Sequence, residues 1–267
     1  MKIARSIGRI GAMTLRYWYV LQKSWPRMLD LVYWPTVNMI VWGLLTIYFN
    51  EHRSLFNDTV SILLGAVMLW DVLLRGQLGF TYSFLEEIWS RNVANIMMSP
   101  IKPIELSLAL MLMSFIRLII GMAPVTMLAI ILFGFNIYSL GLPLIAFFIN
   151  LILLSWALGL VIAGLVLRNG QSAEGFSWSV MLMLLPLSCV YYPVSTLPQW
   201  SQPFAWMLPT TYVFEGMREL VLYQTFRADL MLWCLLLNAI YLALGVLILQ
   251  LLIESARKKG SILAMGE

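Results

Sequence analysis

The sequence predicts an all-α integral membrane protein. Six transmembrane helices are expected, with an amphipathic interface helix before them, a short cytoplasmic helix after the second, and an outer re-entrant helical hairpin between helices five and six. Three observations carry this prediction. Of 267 residues, 61% are hydrophobic and 11% charged, against about 45–50% and about 25% in an ordinary soluble domain. A soluble core of this size cannot bury that excess. Apolar runs near the roughly 20 residues that cross a bilayer as a helix recur six times. Finally, lysine and arginine gather in alternate connections, the bias that orients membrane helices.

Residues 1–28 form the expected interface arm. "IARSIGRIGAMTLRYWYVLQKSWPRML" interleaves basic with apolar and aromatic residues and has no compact apolar core, so it is not a cleavable signal peptide. Arg5, Arg9 and Arg16 fall near one side of a helix, and Ile3, Ile10, Met13, Leu15, Trp18 and Leu21 supply much of the rest. Such a helix lies in the membrane surface with its cationic face toward anionic lipid. It also serves as a topology signal.

The spans are expected near 29–49, 59–80, 105–134, 140–167, 176–194 and 230–253. Helices one and two thus occupy 29–80, helices three to five 104–194, and helix six with the carboxyl tail 230–267. Span three is long, and Gly121 with Pro124 predicts a kink there. In span four, Ser155, Gly159 and Ala163 recur every fourth residue, a stripe that permits close helix packing. If both termini are cytoplasmic, most of the 17 basic residues fall inside, and only Arg53, Arg218 and Arg227 fall outside.

The connection 81–103, "YSFLEEIWSRNVANIMMSPIKP" from Tyr82, lies on the cytoplasmic side in this orientation. Ser83 with Glu86 three residues later reads as a capping box, and Glu87 with Arg91 as a pair one turn apart. A short amphipathic helix here suits docking into a groove on a soluble partner, and an ordinary surface helix has the same pattern.

Asp71 and Arg75 lie four residues apart in span two, so they share a face and can pair; Arg117 in span three also needs a partner, with Asp71 one candidate. A charge at the bilayer centre costs about 2.5–3.5 kcal/mol on insertion scales. These residues therefore face protein or a polar pathway. Interhelical glue and a polar lining both fit.

Around the start of the outer hairpin expected at 195–229, the residues from Cys189 to Leu220 read "CVYYPVSTLPQWSQPFAWMLPTTYVFEGMREL". Pro193, Pro198, Pro203 and Pro209 forbid one straight helix, whereas Tyr191, Tyr192, Trp200, Phe204, Trp206 and Tyr212 suit the headgroup boundary. Irregular backbone at membrane depth needs cover from protein or a water-filled cavity. The stretch reads as a re-entrant hairpin of short helices, or as an interfacial loop.

The chain has no G-x-x-x-x-G-K-[ST] phosphate loop. Its single histidine, His52, and two cysteines, Cys189 and Cys234, supply neither a catalytic triad nor a metal cage. No catalytic residue or bound metal is expected.

The order of elements, and above all residues 184–220, resembles the permease subunits of bacterial ATP-binding-cassette exporters of the second permease type. The matching pattern is a proline in span five, then Tyr192, Pro193, Ser195, Leu197, Pro198 and Trp200, then Pro209, Thr211, Tyr212, Glu215 and Arg218. The family more often has Asn-Pro where this chain has Leu208-Pro209. The resemblance implies that Tyr191, Tyr192, Pro193, Leu197, Pro198, Trp200, Pro209, Tyr212, Glu215 and Arg218 belong to an outer gate. It implies that Leu85, Glu86, Glu87, Ile88, Trp89 and Arg91 form a coupling helix seated on a separate ATPase. Two permeases would pair with two ATPases in the bacterial inner membrane, both termini cytoplasmic. ATP and magnesium would bind the ATPase, not this chain. Spans one, two and five would line a path for an amphipathic or lipid-like cargo: a drug, lipid or lipid-linked glycan. No nucleic acid is expected. The alternative is an ATP-independent secondary transporter or channel.

Overall fold

A computed structural model describes residues 2–53, 57–170 and 173–259; the carboxyl tail at 260–267 lies outside the described residues. The described residues contain ten α-helices: α1 (Lys2–Gln22), α2 (Trp25–Arg53), α3 (Asn57–Trp89), α4 (Val93–Met98), α5 (Pro103–Phe133), α6 (Leu142–Asn169), α7 (Phe176–Leu187), α8 (Gln202–Trp206), α9 (Pro209–Tyr223) and α10 (Ala228–Lys259). Among these residues, α2, α3, α5, α6 and α10 are long and apolar enough to cross a membrane.

Helix α3 runs through the centre of the bundle. It packs against α2, α5, α6 and α9, and most of its apolar stretch is buried. The predicted small-residue stripe explains the closeness of α6. Ser155 faces Gly76 of α3, and a methyl group at Gly159 would sit 2.8 Å from the Phe80 ring. On the other side of α6, Gly245 of α10 rests against the Ala157 carbonyl, where a methyl group would come within 2.9 Å of the oxygen. Removing these side chains lets helix backbones approach, so dispersion contacts hold the pairs together without a hydrophobic drive. The small residues of α6 thus join α3 to α10.

Two apolar clusters stack along the bundle. One joins Met39, Leu69, Phe147, Phe214 and Met217 near the α8–α9 end. The other joins Tyr17, Phe80, Leu85, Ile88, Leu106 and Leu167 near the α1–α4 end. Deep in the membrane segment, Asn238 of α10 donates from Nδ2 to Oδ1 of Asn150 at 2.9 Å and to its backbone carbonyl at 2.9 Å. This amide pair fastens α10 to α6.

Two sequence expectations change. The segment 176–194 does not form a full-length helix. Helix α7 has 12 residues, about 18 Å of rise, less than the roughly 30 Å of hydrocarbon. Pro186 lies in its last turn, and Cys189 then takes a left-handed backbone conformation, φ 53°. The second change concerns α1. Arg9 and Arg16 turn toward the bundle and not toward lipid, because buried carboxylates await them there: Arg9 meets Glu105 at 2.8 Å, and Arg16 meets Glu87.

Candidate functional sites at the two ends of the bundle

At the α1–α4 end, α3 continues two turns beyond the expected boundary of its span. Ser83 is mid-helix and donates to the Gly79 carbonyl at 2.8 Å, so the predicted cap does not form. The helix stops at Trp89, nearly two turns later. Arg91 adopts a left-handed conformation, φ 54°. Its N–H bonds to the Ile88 carbonyl at 2.9 Å, and that of Asn92 to the Glu87 carbonyl at 2.8 Å. This is a Schellman closure with an arginine where glycine is usual. The short helix expected from Ser83 begins instead at Val93 and ends at Met98, before Pro100.

This arrangement divides the predicted coupling residues. Leu85 and Ile88 are buried in the apolar core, and Glu86 and Glu87 in ion pairs. Glu86 receives Arg117 at 2.8 Å and Arg27 at 3.4 Å. Glu87 binds Arg16 through both guanidinium nitrogens, one at 2.9 Å, and accepts from Asn92 at 2.8 Å. Glu87 therefore does not pair with Arg91. Its hydrogen bond also raises the Arg16 pKa above the ordinary value. Trp89 is 42% exposed, Met98 is 78% exposed, and Ser90 and Arg91 are open as well. Beside them an open hollow is lined by Arg16, Arg27, Glu86, Glu87 and Trp89. The corner thus presents one aromatic and one thioether anchor over a rigid ionic base.

The sequence did not single out Glu105, which ties α1 to α5. Its carboxylate accepts from Arg9, from Ser6 at 2.6 Å and from the Lys102 backbone at 3.0 Å. Its one legible signal is its place three residues into α5, behind Pro103, where a carboxylate caps a helix start.

At the opposite end, the predicted prolines divide the chain into a 3-10 turn (Val194–Thr196), α8 and α9. Pro209 starts α9, where a missing N–H costs nothing, and its carbonyl accepts from the Cys234 thiol at 3.1 Å. The Glu215–Arg218 pair, 3.0 Å apart, closes the hairpin. Glu215 accepts from the Val194 N–H at 2.7 Å. Arg218 donates to the Tyr192 carbonyl at 2.7 Å, to that of Val190 at 3.3 Å, and to that of Cys189. One guanidinium thus satisfies three carbonyls of the irregular turn that follows α7.

The aromatics surround this clasp. Tyr191 stacks on Trp42 of α2, with centroids 4.5 Å apart, and Tyr212 meets Trp206 edge-on at 5.0 Å. The Tyr192 hydroxyl donates to the Pro186 carbonyl at 2.5 Å. Gln202 donates to the Leu197 carbonyl at 3.0 Å, and Ser201 to that of Pro198 at 2.9 Å. Pro193 is exposed, and Trp200, at 75% exposure, projects from the surface.

Between the two ends, Asp71 and Arg75 do not pair. Asp71 Oδ1 accepts only a long bond of 3.4 Å from Asn38 of α2, while its Oδ2 and Arg75 Nε are buried without partners. Four residues along a helix gives a shared face but leaves rotamers free to diverge. Arg117 pairs with Glu86, not Asp71.

Long apolar helices enclosing buried ion pairs define a multi-pass helical membrane protein. The ABC-2 type transporter family model matches residues 13–222, and the chain belongs to that family. It is a membrane transport component, a permease, and the family associates with an ATP-binding-cassette ATPase. No curated protein matches the chain.

Proposed function

We propose that the whole chain, 1–267, is one transmembrane domain forming the export path of an ATP-binding-cassette transporter. Two copies pair with two ATPase subunits, which hold the ATP and magnesium. The α1–α4 end is cytoplasmic, with both termini there, in a bacterial inner membrane. The opposite hairpin is the outer gate, and α7 together with the α8–α9 turns makes a fifth crossing that is only partly helical, giving six in all. The cargo is amphipathic or lipid-like, consistent with Trp42, Tyr191 and Asn38 gathered around Asp71 between α2, α3 and the hairpin.

The observation that supports coupling best is the corner at Trp89. Its exposed apolar anchors stand on a base fixed by Arg16, Arg27 and Arg117, so a push on the corner moves α1, α2, α3 and α5 together. Aromatic residues in desolvated pockets carry most binding energy at interfaces. Trp89→Ala with Arg91→Glu should leave the permease folded while abolishing its stimulation of the partner ATPase. The test is ATP hydrolysis by the reconstituted pair, beside the melting temperature of the permease alone. Full stimulation by the double variant would sink the assignment.

A further inference from the structure

A second groove lies at the same end and shares no lining residue with the hollow at the Trp89 corner. It is a narrow, mostly apolar groove, partly open to the surface. Phe80 of α3 and Leu167 of α6 form its floor; Leu106 and Leu110 of α5 form one wall, and Leu249 and Ile253 of α10 the other. Lys102, just before α5, and Arg257, on the last turns of α10, stand at its mouth. Both cations are exposed and neither enters an ion pair among the described residues. The nearby carboxylate of Glu105 is already engaged by Arg9 and Ser6, and Glu254 sits on a neighbouring face of α10. Beside the groove, Ile104, Leu108 and Leu251 are exposed, so it opens sideways onto surface that acyl chains would cover.

We infer that this groove binds one anionic glycerophospholipid, its phosphate between Lys102 and Arg257 and an acyl chain along Leu106, Leu110, Leu249 and Ile253. Charge complementarity selects the occupant. Two unpaired cations at a membrane boundary favour an anionic headgroup, and the apolar trough below them suits a chain that a free phosphate lacks. Basic pockets between helices at the cytoplasmic boundary hold anionic lipids in this way. The inference requires only that α5 and α10 cross a bilayer, so it stands or falls separately from ATPase coupling.

The test is native mass spectrometry of the full chain released from nanodiscs of mixed phosphatidylglycerol and phosphatidylcholine. The unaltered protein should retain phosphatidylglycerol in preference to phosphatidylcholine by on the order of tenfold. Lys102→Gln with Arg257→Gln should abolish that preference. Ser107→Trp, which fills the groove and leaves both cations, should abolish retention itself, while Arg227→Gln at the opposite end should change nothing. Retention that persists in both groove variants overturns the inference. So does displacement of the lipid by excess inorganic phosphate, which would mark a simple anion site. A dimer without retained lipid that dissociates in Ser107→Trp would mean that a second copy covers the groove, and would overturn it too.

Discussion

Arg218 shows how one side chain can hold an irregular turn in place. Its guanidinium reaches carbonyls 26 to 29 residues earlier, and the left-handed turn at Cys189 is held between those contacts and Glu215. Removing one partner of a buried pair leaves the other uncompensated, at a cost of about 3–5 kcal/mol. Arg218→Gln should therefore lower the melting temperature and release the turn. In a Cys234→Ser background, the buried Cys189 should change from inert to maleimide-reactive. An unreactive Cys189 in the variant would show that the turn holds without the arginine. Arg91 differs in having no such clasp. A non-glycine residue in the left-handed region costs about 1–2 kcal/mol, and retaining arginine there fits a side chain kept for an outside contact.

Ion pairs join the elements at the α1–α4 end, and the same pairs mark what could be read from the sequence. The long helices were legible because hydrocarbon demands about 20 apolar residues whatever their neighbours do. The stripe at Ser155 and Gly159 was legible because helical period alone places it on one face. The broken backbone after Tyr192 was legible because proline acts locally. Partnerships were not. Sequence spacing offers Glu87 its neighbour Arg91 and Asp71 its neighbour Arg75, yet the fold gives Glu87 to Arg16, 71 residues away, and Glu86 to Arg117, 31 residues away. Likewise, the turn that follows α7 is held by an arginine in α9. A double-mutant cycle separates these cases. Glu86→Gln with Arg117→Gln should show a coupling of about 0.5–3 kcal/mol between α3 and α5, whereas Asp71→Asn with Arg75→Gln, opposite charges one turn apart with no ion pair between them, should show a smaller one. The measurement is the shift in unfolding free energy in detergent. Coupling confined to the Asp71–Arg75 cycle would reverse the assignment.

At the scale of the whole molecule, orientation is the first thing to measure. With both native cysteines buried, cysteines at exposed Gln199 and Asn95 report the two ends separately. An impermeant thiol reagent applied to intact cells should label Gln199→Cys and spare Asn95→Cys; the opposite pattern would invert the topology. Such a labelling map would also put scale on helix α3. It contains no proline, runs unbroken for 33 residues, and so extends about 50 Å. One end packs beside Met217 of the hairpin helix, and the other carries Trp89 into the open. Its consequence is mechanical: with no joint along its length, α3 acts as a shaft and not as a relay. A tilt of about ten degrees around its midpoint would swing each tip by about 4 Å in opposite directions. A tug at the tryptophan would therefore reach the far mouth of the bundle at full stroke, with no intermediate loop to absorb it.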